Sequence, residues 1–137
     1  MSENTQVFNL PSFAVFVTQV KPLLLEIRKF AVTKHTTPRQ LTDSLGMAIG
    51  YFYHAREILA KAEYFLILAK RFKLPPKEEG VTALEREVVM DANVADETLF
   101  RDLADATVDA IKEKISTSQT LLNVLRNETK FPRAPEP

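Results

Sequence analysis

The sequence predicts an all-α fold: a long antiparallel helical hairpin with N-terminal helices packed on it as a helical bundle, and an oligomeric assembly of such subunits. Three observations predict it. Only three glycines occur in 137 residues, and no stretch alternates apolar with polar side chains as a half-buried strand does. Two long segments repeat apolar or small residues at alternating steps of four and three, which is the period of a helix contact seam. Finally, the longer apolar segment carries more bulky side chains than one such seam can cover.

Residues 1–10 read as irregular. A helical region is expected over residues 12–34, where Phe13, Val17, Val20, Leu24, Ile27 and Ala31 recur at spacings of three and four. Ser12 is placed to cap it, and Pro22 either kinks one helix or restarts a second.

The next helix has a well-marked start. Thr37 at the cap, Pro38 at the first helical position and Gln40 form a capping box with proline at its favoured site. No stop follows until Leu74, Pro75 and Pro76, so residues 37–74 form one helix of roughly 50 Å at 1.5 Å per residue. Its seam is Leu41, Leu45, Ala48, Phe52, Ala55, Leu59, Ala62, Leu66 and Ala69, with small residues recurring where a partner helix can approach. Gly46 and Gly50 interrupt it at a cost of about 1 kcal/mol each. Either the N-terminal helix packs closely there, or the glycines are simply tolerated.

Thr82 and Glu85 form a second capping box, opening a short helix over residues 82–91, and a bend is expected between Asp91 and Asp96. The last helix, residues 96–130, carries the seam Ala104, Val108, Ile111, Ile115, Ser118, Leu122 and Leu125. Residues 132–137, rich in proline, read as a disordered tail. Residues 1–131 thus form one domain.

Composition narrows the chemistry. Eighteen basic and eighteen acidic residues cancel, so any nucleic-acid affinity must come from local clustering. The absence of cysteine excludes disulfides, thiolate metal sites and a cysteine nucleophile. His35 and His54 are the only histidines, and neither has a glutamate three residues before it, as a di-iron bundle would need; His54 reads as a partly exposed polar residue. Gly80 stands alone, so there is no glycine-rich phosphate loop. Asp102, Asp105, Asp109 and Glu113 read as a solvated face. No nucleophile–base set is visible. The expectation is a protein that is not an enzyme, needs no cofactor and binds no metal. Residues 1–6 are polar and unlike a secretory leader, and the apolar runs are too short to span a bilayer. No membrane partner is expected, and the location expected is the cytoplasm.

Two features remain as candidate sites. Around the long seam lie Ile49, Ile58, Tyr64, Phe65, Ile67, Leu68 and Phe72, beyond what the hairpin partner covers. The N-terminal helices can bury part of them. Phe65, Ile67, Leu68 and Phe72 are the candidate oligomer interface, because a large contiguous apolar patch rarely faces water on a monomer. The second feature is a basic group: Arg56, Lys61, Lys70, Arg71, Lys73 and Lys77. Arg71 lies seven residues after Tyr64 and shares its face, so phosphates could meet the charge while bases stack on the ring. The plain alternatives are that Lys70 and Arg71 answer the helix dipole and that long cationic side chains flank apolar surface.

The order of these elements resembles a known family. A long helix rich in Ala, Lys and Glu is followed by "VTALEREVVMDANV" and then "LADATVDAIKEKISTSQTLLNVLRNE". Together with Thr82, Glu85, Met90-Asp91, Asp109 to Lys112, Gln119 and Leu122, this resembles the recombination-mediator proteins of T4-like phages, the UvsY group, over about residues 56–131. The resemblance implies a ring-forming homo-oligomer without enzymatic activity. Such a protein binds single-stranded DNA and helps load a recombinase onto DNA covered by single-strand-binding protein, here in a host cytoplasm. It places DNA contacts near Lys61, Lys70 and Arg71. The chain departs from the family in its longer apolar N-terminal region, its Pro-Pro turn and its zero net charge. An alternative from the residues alone is a structural or adaptor protein, such as a phage assembly factor or an inhibitor of a host protein, that docks a partner on its apolar helix surface.

Overall fold

The computed structural model describes residues 12–73, 75 and 80–130. They form four helices, with no strand among the described residues: α1 (Phe13–Val32), α2 (Pro38–Phe72), α3 (Ala83–Asn93) and α4 (Ala95–Lys130). The irregular start, the Pro-Pro turn beyond Pro75, Lys77 and the tail lie outside the described residues.

Local chemistry sets the helix starts. The Ser12 hydroxyl accepts from Val15 N. Thr37 and Gln40, and likewise Thr82 and Glu85, close both sides of their capping boxes. Pro22 does not divide the N-terminal region. It sits inside one continuous helix on an exposed surface, and Thr18, whose carbonyl loses its amide partner, is itself exposed.

The antiparallel α2–α4 hairpin dominates the packing, and α1 lies along both helices. Three core clusters follow one another down the bundle. Leu66, Ala69 and Val94 meet at one end. Phe16, Leu24, Ile58, Ala62, Phe100 and Ala104 come next, and Ile27, Ala48, Ala55, Val108 and Ile111 follow. Hence α1 runs antiparallel to α2 and parallel to α4. The expected seams are observed in the main: Leu41, Ala48, Ala55, Ala62, Leu66 and Ala69 are buried on α2, and Ala104, Val108, Ile111, Ser118 and Leu122 on α4. Leu45, Phe52, Leu59, Ile115 and Leu125 are half-buried, and Ile58, expected outside the seam, is buried. The recurring alanines let the backbones approach while α1 supplies the bulk. Phe13 and Phe16 from α1 pack on Phe65, with ring centroids 5.7 and 4.9 Å apart.

Two details are settled more narrowly than the sequence left them. Gly46 and Gly50 are exposed, and an added Cβ at either would meet nothing within 4 Å. Close packing by α1 is therefore not their reason within the subunit. The bend expected over several residues is a single one, Val94, whose side chain is buried at 1% exposure. Its backbone caps α3 while the Thr98 amide bonds to its carbonyl, so α4 begins at once.

Candidate functional site

Most of the apolar and basic candidates lie toward the end of the bundle where α2 gives way to α3, while Arg56 sits at the middle of α2. α1 resolves part of the apolar excess. Ile58 is buried and Phe65 is half-buried against Phe13 and Phe16, so Phe65 belongs mainly to the subunit's own core rather than to a free face. Tyr64 and Leu68 are also half-buried. Ile67 and Phe72 stand out at 63% and 80% exposure.

The short helix α3 adds to this surface and was not singled out by its sequence. None of its residues is buried. Leu84, Val88 and Val89 are all exposed, the first two at 70% and 60%. Met90 touches the cluster of Leu66, Ala69 and Val94, Arg86 Nη2 donates to the Pro75 carbonyl at 3.1 Å, and Asn93 Nδ2 donates to the Lys73 carbonyl at 3.3 Å. Polar tethers thus hold α3 beside the end of α2 while its apolar side chains face outward. An 11-residue helix is marginal on its own in water, and most helical stability comes from burying an apolar face. The missed signal was the spacing of Leu84 and Val88 at i and i+4 after the capping box.

The cations divide into four groups. Lys73 Nζ bonds Glu97 Oε1 at 2.7 Å, and the Glu97 side chain is almost fully buried. Glu97 Oε2 has no hydrogen-bond partner among the described residues, which makes Lys73 its counter-ion and a structural residue. Lys61 pairs with Glu57 at 3.2 Å on an exposed helix face, a contact weak enough to be exchanged. The Arg56 guanidinium lies 5.6 Å from the Phe52 ring centroid. Lys70 and Arg71, in the last turn of α2, are exposed and form no ion pair with the described residues. They are the cations at this end most available to an external anion.

No three His, Asp or Glu side chains among the described residues group as a metal site would require. No described helix is long and apolar enough to cross a membrane. No protein-family model, curated protein or solved structure matches the chain.

Proposed function

We propose that the protein is a non-enzymatic, homo-oligomeric helical protein that binds single-stranded DNA and assists recombinase loading in recombination or replication. One observation carries the reading. The end of α2 and the whole of α3 present Ile67, Phe72, Leu84 and Val88 to solvent, and Lys70 and Arg71 on the same end have no acidic partner among the described residues. Apolar surface of this extent favours association, and two unpaired cations per subunit become a basic track when subunits repeat. The resemblance to phage recombination mediators points the same way and supplies the recombinase and the single-strand-binding protein as further partners.

A second reading keeps the association and drops the DNA. Lys61 and Lys73 already have carboxylate partners and the chain carries no net charge, which favours an adaptor that docks a protein on the same apolar end.

Light scattering together with fluorescence anisotropy of a labelled oligo-dT separates the two. The proposal expects an oligomer whose binding weakens as salt rises, and a Lys70→Glu/Arg71→Glu variant that keeps its helicity but loses the DNA. A monomer at tens of micromolar would overturn the assembly. An oligomer indifferent to oligo-dT, forming a stable complex with a protein instead, would leave the adaptor reading standing.

A further inference from the structure

At the corner where α1 turns into α2, residues 33–36 cross over α4 and border an open-mouthed cavity of about 490 Å³. That volume is within the range that holds small organic ligands. Its apolar wall is Ala31, Val32, Leu41, Ala110 and Leu121, and its charged lining is Lys34, Glu113 and Lys114.

Lys114 is the unusual member. It is 9% exposed, a rare condition for a lysine without a counter-ion. Its ammonium donates to the Thr33 carbonyl at 2.6 Å and to His35 Nδ1 at 3.0 Å, and sits 5.1 Å from the Phe30 ring centroid. All three partners are neutral. No carboxylate of the described residues forms an ion pair with it, and its third N–H has no oxygen or nitrogen acceptor among them. Because an ammonium only donates, His35 accepts through Nδ1 and carries its own proton on Nε2. Burial lowers the Lys114 pKa, and burial followed by the Lys114 charge lowers that of His35. Both shifts come first from burial, which disfavours the charged form of each group.

We propose that this cavity binds a small monocarboxylate with an apolar tail, its carboxylate on the Lys114 ammonium and its tail along Ala110 and Leu121. The charge fits a monoanion. Lys34 and Lys114 against Glu113 leave one net positive charge on the lining, and Glu113 disfavours a second negative one. The tail follows from the lining, whose surface is mainly apolar although Thr36, Thr117 and Ser118 add hydroxyls to it. The site lies away from the exposed end of α2 and α3, so it does not rest on the DNA reading.

Octanoate and 1-octanol are suitable probes, compared by isothermal titration calorimetry on the full chain at neutral pH. Octanoate is expected to bind at least about tenfold more tightly than the alcohol, since only it meets the charge. Lys114→Met should erase the difference. That variant also loses the clasp on residues 33–36, so a second one, Ala110→Phe, fills the cavity and leaves the ammonium in place. It should keep its helicity and melting temperature while losing octanoate. In the wild type, the ¹³Cε resonance of Lys114 should titrate at higher pH when octanoate is present. Equal affinity for acid and alcohol, undiminished binding by Ala110→Phe, or no saturable binding in the millimolar range would each overturn the proposal.

Discussion

Glu97 and Lys73 illustrate how one side chain can resemble a binding residue and serve the fold instead. Lys73 follows Lys70 and Arg71 closely in sequence, but its ammonium neutralises a carboxylate buried where α3 meets α4. Removing Lys73, itself half-exposed, leaves a desolvated carboxylate behind, at a cost on the order of 1–2 kcal/mol. Lys73→Met should therefore lower stability by about that amount in urea titrations, whereas Lys70→Met should change it by less than about 0.5 kcal/mol. Equal effects would mean that Glu97 is relieved by other means. His35 yields a prediction on pH. Its folded pKa lies below the ordinary 6.5, first through burial and then through Lys114. In the window from 6.5 down to that lowered value the unfolded chain binds the proton and the folded chain does not. Stability therefore falls as pH falls through this window. Lys34, Glu113 and Lys114 share its surroundings, and of these charges Lys114 is the one in direct contact. Thermal melts below pH 6.5 should show the loss in the wild type and a flatter profile in His35→Gln. An unchanged slope in that variant would assign the dependence to other groups.

Among whole elements, α2 shows what a sequence makes legible. Its start was legible because capping is local: Thr37, Pro38 and Gln40 act within one turn. Its seam was legible because alternating spacings of four and three project side chains onto one face, and α4 repeats the pattern. Gly46 and Gly50 were not legible in the same way, since whether a neighbour approaches is a property of the bundle. As α1 leaves open space beside them, Gly46→Ala and Gly50→Ala should each stabilise the subunit by about 0.5–1 kcal/mol, measured by urea unfolding at low protein concentration. Destabilisation, or a change of assembly state by light scattering, would show that a second chain uses the bare backbone there. The continuity of α1 through Pro22 was also left open by the sequence. Proline's penalty depends on whether the orphaned carbonyl lies on a solvated face, and here both Thr18 and Pro22 are exposed. The candidate site was legible only in part. The excess of bulky residues in α2 was visible, but its division between α1, which takes Phe65, and solvent, which keeps Ile67 and Phe72, is tertiary. Lys114 gave no signal because a lysine beside a seam ordinarily reaches water; the crossing of residues 33–36 is what buries it.

For the whole molecule, the proposed function requires charge and assembly to be coupled. Each subunit offers two cations near the apolar end without an internal partner, Lys70 and Arg71. Neutralising two phosphates of a single strand gives a salt slope of only about −1.4 in log K against log salt. On that proposal a lone subunit would be a weak binder that moderate salt removes, and appreciable affinity would have to come from several subunits on one strand. A Leu84→Asp/Val88→Asp variant separates the terms. Both side chains are exposed, so the subunit should keep its stability and helicity, while two charges on the outward face of α3 oppose any apolar contact there. Light scattering should then report a monomer. Anisotropy with labelled oligo-dT should show a salt slope falling from several units in the assembled wild type toward the single-subunit value, with affinity lost in proportion. Lys70 and Arg71 remain in place, and the added aspartates weaken DNA binding by local repulsion as well. That contribution is isolated by returning to the wild-type chain and diluting it below its assembly concentration. Loss of DNA on dilution, at fixed salt and with the cations unaltered, is the outcome expected of a basic track built by repetition. Retention of full affinity and slope by a monomer would mean that one subunit carries a complete site and that association through α3 serves another purpose.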